Sequence, residues 1–220
     1  YGASSEPQRA VRYLLATAEL ASRRCAYQDA IRYYRQALDG ETVGALDQKD
    51  LLQAKIGLGR ALRFVGEYAE SKSLLQSALE TALYSSLRSN VLVVIVKGLR
   101  ELADIRLMEG DGEQAYEFLA SGLKAIEAEG RKEHPELWRS VVERLSWIRF
   151  RQGRLDEAFE LASAATLDVD HDHEDDPLTL ASLYNTLGGI SWQKGDLQQA
   201  ANYVAQSLHL FLGLSLVLPR

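Results

Sequence analysis

Apolar residues along this chain recur at spacings of three and four, and short polar turns interrupt them at nearly regular intervals. Around Gly195, for example, Leu187 and Ile190 precede the turn, while Leu197 and Val204 follow it. Such spacing places apolar side chains on one face of an α-helix. The pattern therefore predicts a helix, a tight turn and a second helix, with the turn glycine at the end of the first helix.

The same helix-turn-helix pattern occurs five times. A small residue near the start of each second helix marks the five copies: Ala30, Ser71, Ala115, Ala158 and Ala200. These residues are separated by 41, 44, 43 and 42 positions, which is the length of a supersecondary unit that stacks on its neighbours. Glycine at the turn predicts a left-handed backbone conformation, and Cys25 takes that place in the first copy, where such a turn is less assured.

In their order along each unit, these residues resemble the tetratricopeptide repeat (TPR) family. The family pattern has Leu followed by Gly or Ala in the first helix, Gly at the turn and Ala early in the second helix. The fifth unit matches it with Leu187, Gly188, Gly195, Leu197, Ala200 and Val204. The second unit matches it with Leu58, Gly59, Gly66, Tyr68, Leu75 and Ala78. The resemblance implies an all-α fold, a right-handed α-solenoid of five helix-turn-helix repeats.

We expect a single domain over residues 1–220, with repeats at approximately 11–44, 52–85, 96–129, 139–172 and 181–214. The period, longer than that of common TPR units, resembles the repeat arms of bacterial multidomain signalling ATPases and adenylate cyclase-like regulators. Because the chain starts at Tyr1 and its only methionine is Met108, we expect it to be a fragment of a longer protein.

Charge and composition argue against several classes of partner. The net charge is −6 and the pI is near 5.3, whereas binding to nucleic acid or anionic membranes requires a dense basic face. The chain shows no signal peptide, and its apolar run at 91–96 is too short to span a membrane. We expect a cytoplasmic protein that binds neither nucleic acid nor membrane, with Cys25 as a small packed residue at its turn.

No catalytic motif occurs in the sequence. It lacks a P-loop, HExxH, CxxC and GxSxG, and it has only four histidines, so we expect no enzyme activity and no cofactor. The segment DVDHDHEDD at 168–176 starts like a calcium loop, but His173 and Thr179 stand where such a loop needs Gly and Glu. We interpret it as a solvated loop. A transition-metal site at His171 and His173 is the less favoured alternative.

The family resemblance also implies a concave groove lined by the first helix of each repeat. Counting from each turn, this register assigns a set of partner-binding residues: Arg12, Arg60, Arg63, Phe64, Lys97, Arg100, Trp147, Phe150, Arg151 and Trp192. The groove is expected to be cationic in its first half and aromatic in its second. The alternative is that the aromatic residues are core and the arginines structural. Exchanging Arg60 and Arg63 for Glu is expected to weaken partner binding without unfolding the domain.

This surface suits a protein or peptide partner with acidic and apolar anchors, because arginine pairs with carboxylates and tryptophan offers a large contact area. We therefore expect a non-catalytic interaction and scaffolding module within a larger signalling or regulatory protein. The alternative is a ligand-sensing domain for a small molecule or signalling peptide. The nearly uncharged end at 208–218 also suggests self-association or continuation into further repeats, although a tail folded back on the last repeat is an alternative.

Overall fold

A computed structural model describes residues 5–39, 46–83, 88–167 and 177–217, and within these ranges the chain forms ten α-helices, one short 3-10 helix and no strand. The 3-10 helix spans Arg131–Glu133. The α-helices are α1 Ser5–Arg23, α2 Tyr27–Ala37, α3 Gln48–Phe64, α4 Tyr68–Leu83, α5 Arg88–Met108, α6 Gly112–Glu129, α7 Pro135–Arg151, α8 Leu155–Leu167, α9 Pro177–Gln193 and α10 Leu197–Val217.

The helices are arranged as the five predicted pairs, with an odd-numbered helix followed by an even-numbered helix after a short turn. We call the odd-numbered members first helices and the even-numbered members second helices. The chain divides into two compact units, residues 1–118 and 119–220, with the boundary inside α6. The expectation of a single domain and the proposed repeat boundaries stay predictions.

The core of unit 1 forms between successive helix pairs. The helix α2 packs against both α1 and α3, and α4 packs against both α3 and α5. One cluster joins Tyr34 of α2 to Ala54, Leu58 and Ala61 of α3. A second cluster joins α4 to α5 through Leu75, Leu79, Ala82, Leu102 and Ile105. Within unit 1, α2 and α4 are thereby each covered by the first helix of the next pair.

Unit 2 repeats this arrangement. The helix α8 packs against α7 and α9, and α9 packs against α10. Leu145, Ile148, Leu187 and Ile190 of the first helices are almost fully buried. Because each first helix must pack on two sides, its apolar positions are spread around the helix rather than confined to a single stripe.

The turns explain the recurring glycine. Gly66, Gly110, Gly153 and Gly195 have φ between 75° and 88°, in the left-handed region that glycine adopts without steric cost. Cys25 adopts the same conformation with φ of 59°, so the left-handed turn is also present in the first pair. The expectation that Cys25 is packed was wrong, because this turn projects its side chain outward and the thiol is exposed.

Close approach of the helices within a pair depends on small residues. A Cβ on Gly59 would lie 2.7 Å from Leu75 Cγ, and one on Gly188 would lie 2.9 Å from Val204 Cγ2. Ser71 replaces the usual alanine of the second helix and is fully buried. Its hydroxyl donates a 2.6 Å hydrogen bond to the carbonyl oxygen of Gly59, which satisfies the polar group at the helix contact.

Two further expectations concern metal binding at the acidic segment and membrane-spanning helices. The segment at 168–176, with its candidate histidines, lies outside the described residues. Among the residues that are described, no group of three or more His, Cys, Asp or Glu is arranged to hold a metal ion. None of the described helices is long and apolar enough to cross a membrane.

Candidate ligand-binding site

A cavity of about 590 Å³ lies in unit 1, and α1, α2, α3 and α5 contribute side chains to its wall. Five of the ten predicted partner-binding residues line it: Arg60, Arg63, Phe64, Lys97 and Arg100. The wall carries five Lys and Arg side chains against three Asp and Glu side chains, so its net charge is positive although that of the chain is negative. Four of the five cations predicted for the first half of the groove therefore lie on one cavity wall.

Four of the five cations of the cavity form two groups, and the first group is held by carboxylates. Arg63 is only 7% exposed, and its Nε lies 2.8 Å from a carboxylate oxygen of Glu101. Its terminal nitrogen lies 3.3 Å from Asp104 on the next turn of α5. Arg60 is more exposed and approaches Glu101 at 3.6 Å. Arg63 thus links α3 to α5, and two carboxylates offset its charge.

Glu101 has an unusual electrostatic environment. Its burial raises the pKa of the carboxyl group above the ordinary glutamate value, while the charges of Arg63 and Arg60 act in the opposite direction. Burial is the larger effect. A similar balance holds for Tyr34, whose pKa is raised by burial and by the nearby Glu19 carboxylate, which accepts its hydroxyl hydrogen at 3.3 Å.

The second group of cations is open to solvent. Lys49 and Lys97 are exposed on the cavity wall, and neither forms an ion pair with the residues that the structure describes. Arg100 lies on the same wall and is half-buried. Because their charges face the cavity, these lysines are the groups best placed to attract an anionic ligand.

Exposed apolar side chains lie beside these cations. The ring of Phe64 stacks on that of Tyr27 with a centroid distance of 4.4 Å, and it remains 44% exposed. The guanidinium of Arg63 lies 4.3 Å from the centre of the Phe64 ring, so a cation–π contact also holds the ring. Val93 is 41% exposed on the same wall. The cavity therefore offers both charge and apolar area.

Of the other five predicted residues, Arg12 is exposed on α1 and does not line the cavity. The remaining four lie in unit 2. Trp147 is half-buried between Arg144 and Arg151, whose guanidinium carbons lie 5.5 Å and 5.6 Å from its ring. These contacts place Trp147 on a surface that arginines flank rather than in an apolar core.

Phe150 and Trp192 differ in their surroundings. A Cβ on Gly189 would lie 2.8 Å from Phe150 Cζ, so the phenylalanine packs against α9 and is partly structural. Trp192 lies three residues beyond Gly189 on α9 and is 66% exposed. For Trp192, the alternative of a core position is wrong, because it points away from the buried face of its helix.

Sequence reasoning missed several residues of the cavity. The most consequential is Glu101, which lies one turn from both Lys97 and Asp104 on α5 and forms the central ion pair. Lys49, Tyr34 and Val93 were also missed. The signal in the sequence that could have found Glu101 was Arg63. A register that placed Arg63 on the inner face required an acidic partner on the neighbouring first helix.

Helix-turn-helix pairs with a left-handed turn and a small residue at the helix contact define the TPR-like class of helical repeat proteins, and this chain has a TPR-like fold. Solved structures of that class are similar to it over nearly its whole length. BtubC (BKLC) from P. vanneervenii has a TM-score of 0.76 at 18% identity, covering 97% of this chain and 84% of the other.

Two further structures extend the comparison. A putative kinesin light chain with TPR-like repeats from Podosopora anserina has a TM-score of 0.69 at 19% identity, covering 96% of this chain and 98% of the other. Aspartyl phosphate phosphatase F from Bacillus subtilis has a TM-score of 0.77 at 13% identity, covering 98% of this chain but only 54% of the other. At these identities the likeness concerns the fold alone. Neither a protein-family model nor a curated protein matches the sequence.

Proposed function

We propose that this chain is a non-catalytic protein-interaction and scaffolding module, and that the unit 1 cavity binds a segment of a partner protein or peptide. The observation that carries the proposal is the pairing of solvent-facing Lys49 and Lys97 with exposed apolar area at Phe64 and Val93. A segment with acidic and apolar anchors would satisfy both features. TPR-like proteins typically serve as interaction scaffolds.

The ion pairs of Arg63 support this function by preparing the site. Because Glu101 and Asp104 hold Arg63 against Phe64, the ring presents a fixed apolar surface before any ligand arrives. A ligand then loses less free energy in ordering the site. The carboxylates of the ligand would pair with Lys97 and Lys49, whose charges the described residues leave uncompensated.

A second contact surface is proposed on unit 2. It comprises Trp147 with Arg151, the half-buried Phe150, and Trp192. Aromatic and arginine side chains are the commonest residues of interaction hot spots, because they combine a large contact area with polar or cationic groups. Arg12 on α1 is proposed as a peripheral charge that affects the rate of association rather than a residue of the cavity.

We also propose a wider context. As the resemblance to repeat arms of bacterial regulators implies, the chain would act in the cytoplasm as part of a larger signalling or regulatory protein. The apolar end of α10 would mediate self-association, because Leu208, Phe211 and Leu212 are all more than 40% exposed. Exposed apolar residues grouped in this way are typical of interaction surfaces.

A ligand-sensing domain is the second candidate. The observation in its favour is the cavity volume of about 590 Å³, which is within the range of small-molecule sites. A small anionic molecule with an apolar portion would use the same lysines and the same ring of Phe64.

Selection of random peptides displayed on phage, with the purified chain immobilised, tests the proposal directly. We expect enriched peptides to combine Asp or Glu with Leu, Phe or Trp. Lys97→Glu is expected to abolish the enrichment, because it places a negative charge on the cavity wall. Lys124→Glu is the matched control, since Lys124 is also exposed and is not among the residues that line the cavity.

The outcomes separate the two candidates. Enrichment that survives Lys97→Glu would show that the cavity is not the binding site. If no peptide is enriched, while a library of small anionic compounds raises the melting temperature of the wild type but not of Lys97→Glu, the sensing function replaces the interaction function. Absence of both effects would rule out the cavity as a ligand site.

A further inference from the structure

The last second helix, α10, exposes apolar positions at helical spacing. Val204, Leu208 and Phe211 are 48%, 55% and 42% exposed, and they follow one another at intervals of four and three residues. We call these three residues the α10 face. The whole of α10 contains no Asp, Glu, Lys or Arg. A helix face of this kind normally packs against another helix.

The other repeats show what covers this face. Val204 lies nine positions after the turn residue Gly195. The residues nine positions after the turn residue of the other repeats are at most 2% exposed: Tyr34, Leu75, Leu119 and Ala162. The position of Phe211 is likewise buried at Ala82 and Ile126, which are 1% and 0% exposed. In unit 1, the first helix of the next pair covers these positions.

A complementary face is exposed on α1. Tyr13 is 73% exposed and Leu20 is 48% exposed, and we call these two residues the α1 face. They lie twelve and five positions before Cys25, the turn residue of the first pair. In the other four first helices, the position of Leu20 is fully buried, at Ala61, Ile105, Ile148 and Ile190. The position of Tyr13 is buried as well, at Ala54, Gly98, Val141 and Leu183.

The contact between α4 and α5 shows directly how the two kinds of face meet. Leu75, Leu79 and Ala82 of α4 share one cluster with Leu102 and Ile105 of α5. These α4 residues have the register of Val204, Leu208 and Phe211, and Ile105 has the register of Leu20. A Cβ on Gly98, at the register of Tyr13, would lie 3.2 Å from Leu79 Cδ2, at the register of Leu208. The α10 face and the α1 face are therefore the two halves of an interface that this chain already makes internally.

We propose that the chain associates head to tail, with the α10 face of one copy packed on the α1 face of the next. This inference rests on the self-association proposed above and adds its geometry. In the predicted interface, Leu208 of one copy contacts Tyr13 of the next, as Leu79 contacts the Gly98 position within the chain. Such an interface is heterologous, so each copy keeps one face available and assembly continues into open chains or closed rings.

Charge is compatible with this pairing. The α1 face is flanked by Arg9, Arg12 and Arg24, which are exposed, and two copies of α1 would repel each other across an interface. The uncharged α10 imposes no such repulsion on α1. A symmetric contact of α10 with α10 is the competing arrangement. It would leave the exposed Tyr13 and Leu20 without an apolar partner.

Two single variants distinguish these arrangements. Leu208→Glu blocks the α10 face and Leu20→Glu blocks the α1 face, and both side chains are exposed enough for the fold to tolerate the charge. By analytical ultracentrifugation over a dilution series, we expect the wild type to grow beyond dimers and each variant to be monomeric. An equimolar mixture of the two variants is expected to form a dimer and nothing larger, because only one intact pair of faces remains.

Other outcomes overturn the inference in different ways. If Leu20→Glu alone still dimerises and only Leu208→Glu is monomeric, the contact is symmetric, so self-association survives and its head-to-tail geometry does not. A monomeric wild type, or variants that assemble like the wild type, would overturn both. If instead Leu208→Lys alone assembles like the wild type while Leu208→Glu does not, the sign of the charge at that position rather than its burial controls assembly, which also contradicts the proposal.

Met108→Glu is the matched control. Met108 is 57% exposed and lies on α5, outside both faces, so its assembly is expected to equal that of the wild type. Circular dichroism of every variant separates a lost interface from a lost fold.

Discussion

Arg63 shows how one side chain can serve both the fold and the site. It is buried, it pairs with Glu101 and Asp104 across two helices, and it packs on Phe64. We expect Arg63→Met to lower the free energy of unfolding by about 3 kcal/mol, because two largely buried carboxylates lose their partner. Urea denaturation measures this change.

Arg60 provides the comparison for that variant. It is exposed and contacts the same Glu101 at a longer distance, so Arg60→Met is expected to change the free energy of unfolding by less than about 1 kcal/mol. Equal losses in the two variants would show that burial does not distinguish them. The expectation that exchanging Arg60 and Arg63 for Glu spares the fold needs correction, because Arg63 is buried and a glutamate there would group three carboxylates.

The raised pKa of Glu101 has a consequence for stability. Because the folded state binds this proton more tightly than the unfolded state, Glu101 contributes stability fully below the ordinary glutamate pKa, and the contribution is lost as pH rises through the raised pKa. Glu101→Gln is therefore expected to remove this pH dependence. Denaturation curves over the range from about pH 4 to pH 7 measure it. An unchanged slope in the variant would assign the dependence to other groups.

The left-handed turns can be tested with two substitutions that are expected to have opposite effects on stability. Cys25 carries a side chain at φ of 59°, whereas glycine fills the equivalent position in the other turns. Cys25→Gly is expected to stabilise the chain by about 0.5 to 1 kcal/mol, and Gly66→Ala to destabilise it by about 1 kcal/mol. No atom would lie within 4 Å of the new Cβ at Gly66, so backbone strain is the only cost there. Melting temperatures that move in the same direction for both variants would refute this account.

At the scale of the element, close packing within each pair is the main constraint. Gly59→Ala would place a methyl group 2.7 Å from Leu75 Cγ, and we expect it to cost about 1 to 3 kcal/mol of stability. Gly213→Ala on α10 meets nothing within 4 Å and is expected to be neutral or slightly stabilising because alanine favours a helix. Chemical denaturation of both variants tests whether contact or helix propensity dominates.

The elements were largely predictable because two short-range features determine them. The turn glycine ends a helix wherever it occurs, and the small residue five positions later recurs with the close contact, so Gly195 and Ala200 locate one turn and Gly66 and Ser71 another. The cavity was only half predictable. Register from the turn places Arg60 and Lys97 on one side, but it does not reveal that Glu101 compensates Arg63. That depends on rotamers and on the distance between two helices whose paired residues, Arg63 and Glu101, are 38 positions apart along the chain.

At the scale of the whole molecule, the charge of the cavity opposes the charge of the chain. A net charge of −6 disfavours acidic partners at long range, while the positive cavity wall favours them on contact. Added salt should therefore affect the two steps differently. We expect the association rate of an acidic peptide to depend weakly on salt, and its dissociation rate to rise with salt. Stopped-flow fluorescence separates these rates, and a salt effect confined to association would contradict the short-range pairing.

The most direct test of the central claim is the affinity of one enriched acidic peptide for three forms of the chain, measured by isothermal titration calorimetry. We expect Lys97→Glu to weaken binding about tenfold or more relative to the wild type, since a favourable ion pair becomes a repulsive one. Lys124→Glu, with the same change in net charge, is expected to bind like the wild type. Equal affinities for all three forms, or equal losses in both variants, would contradict binding at the cavity.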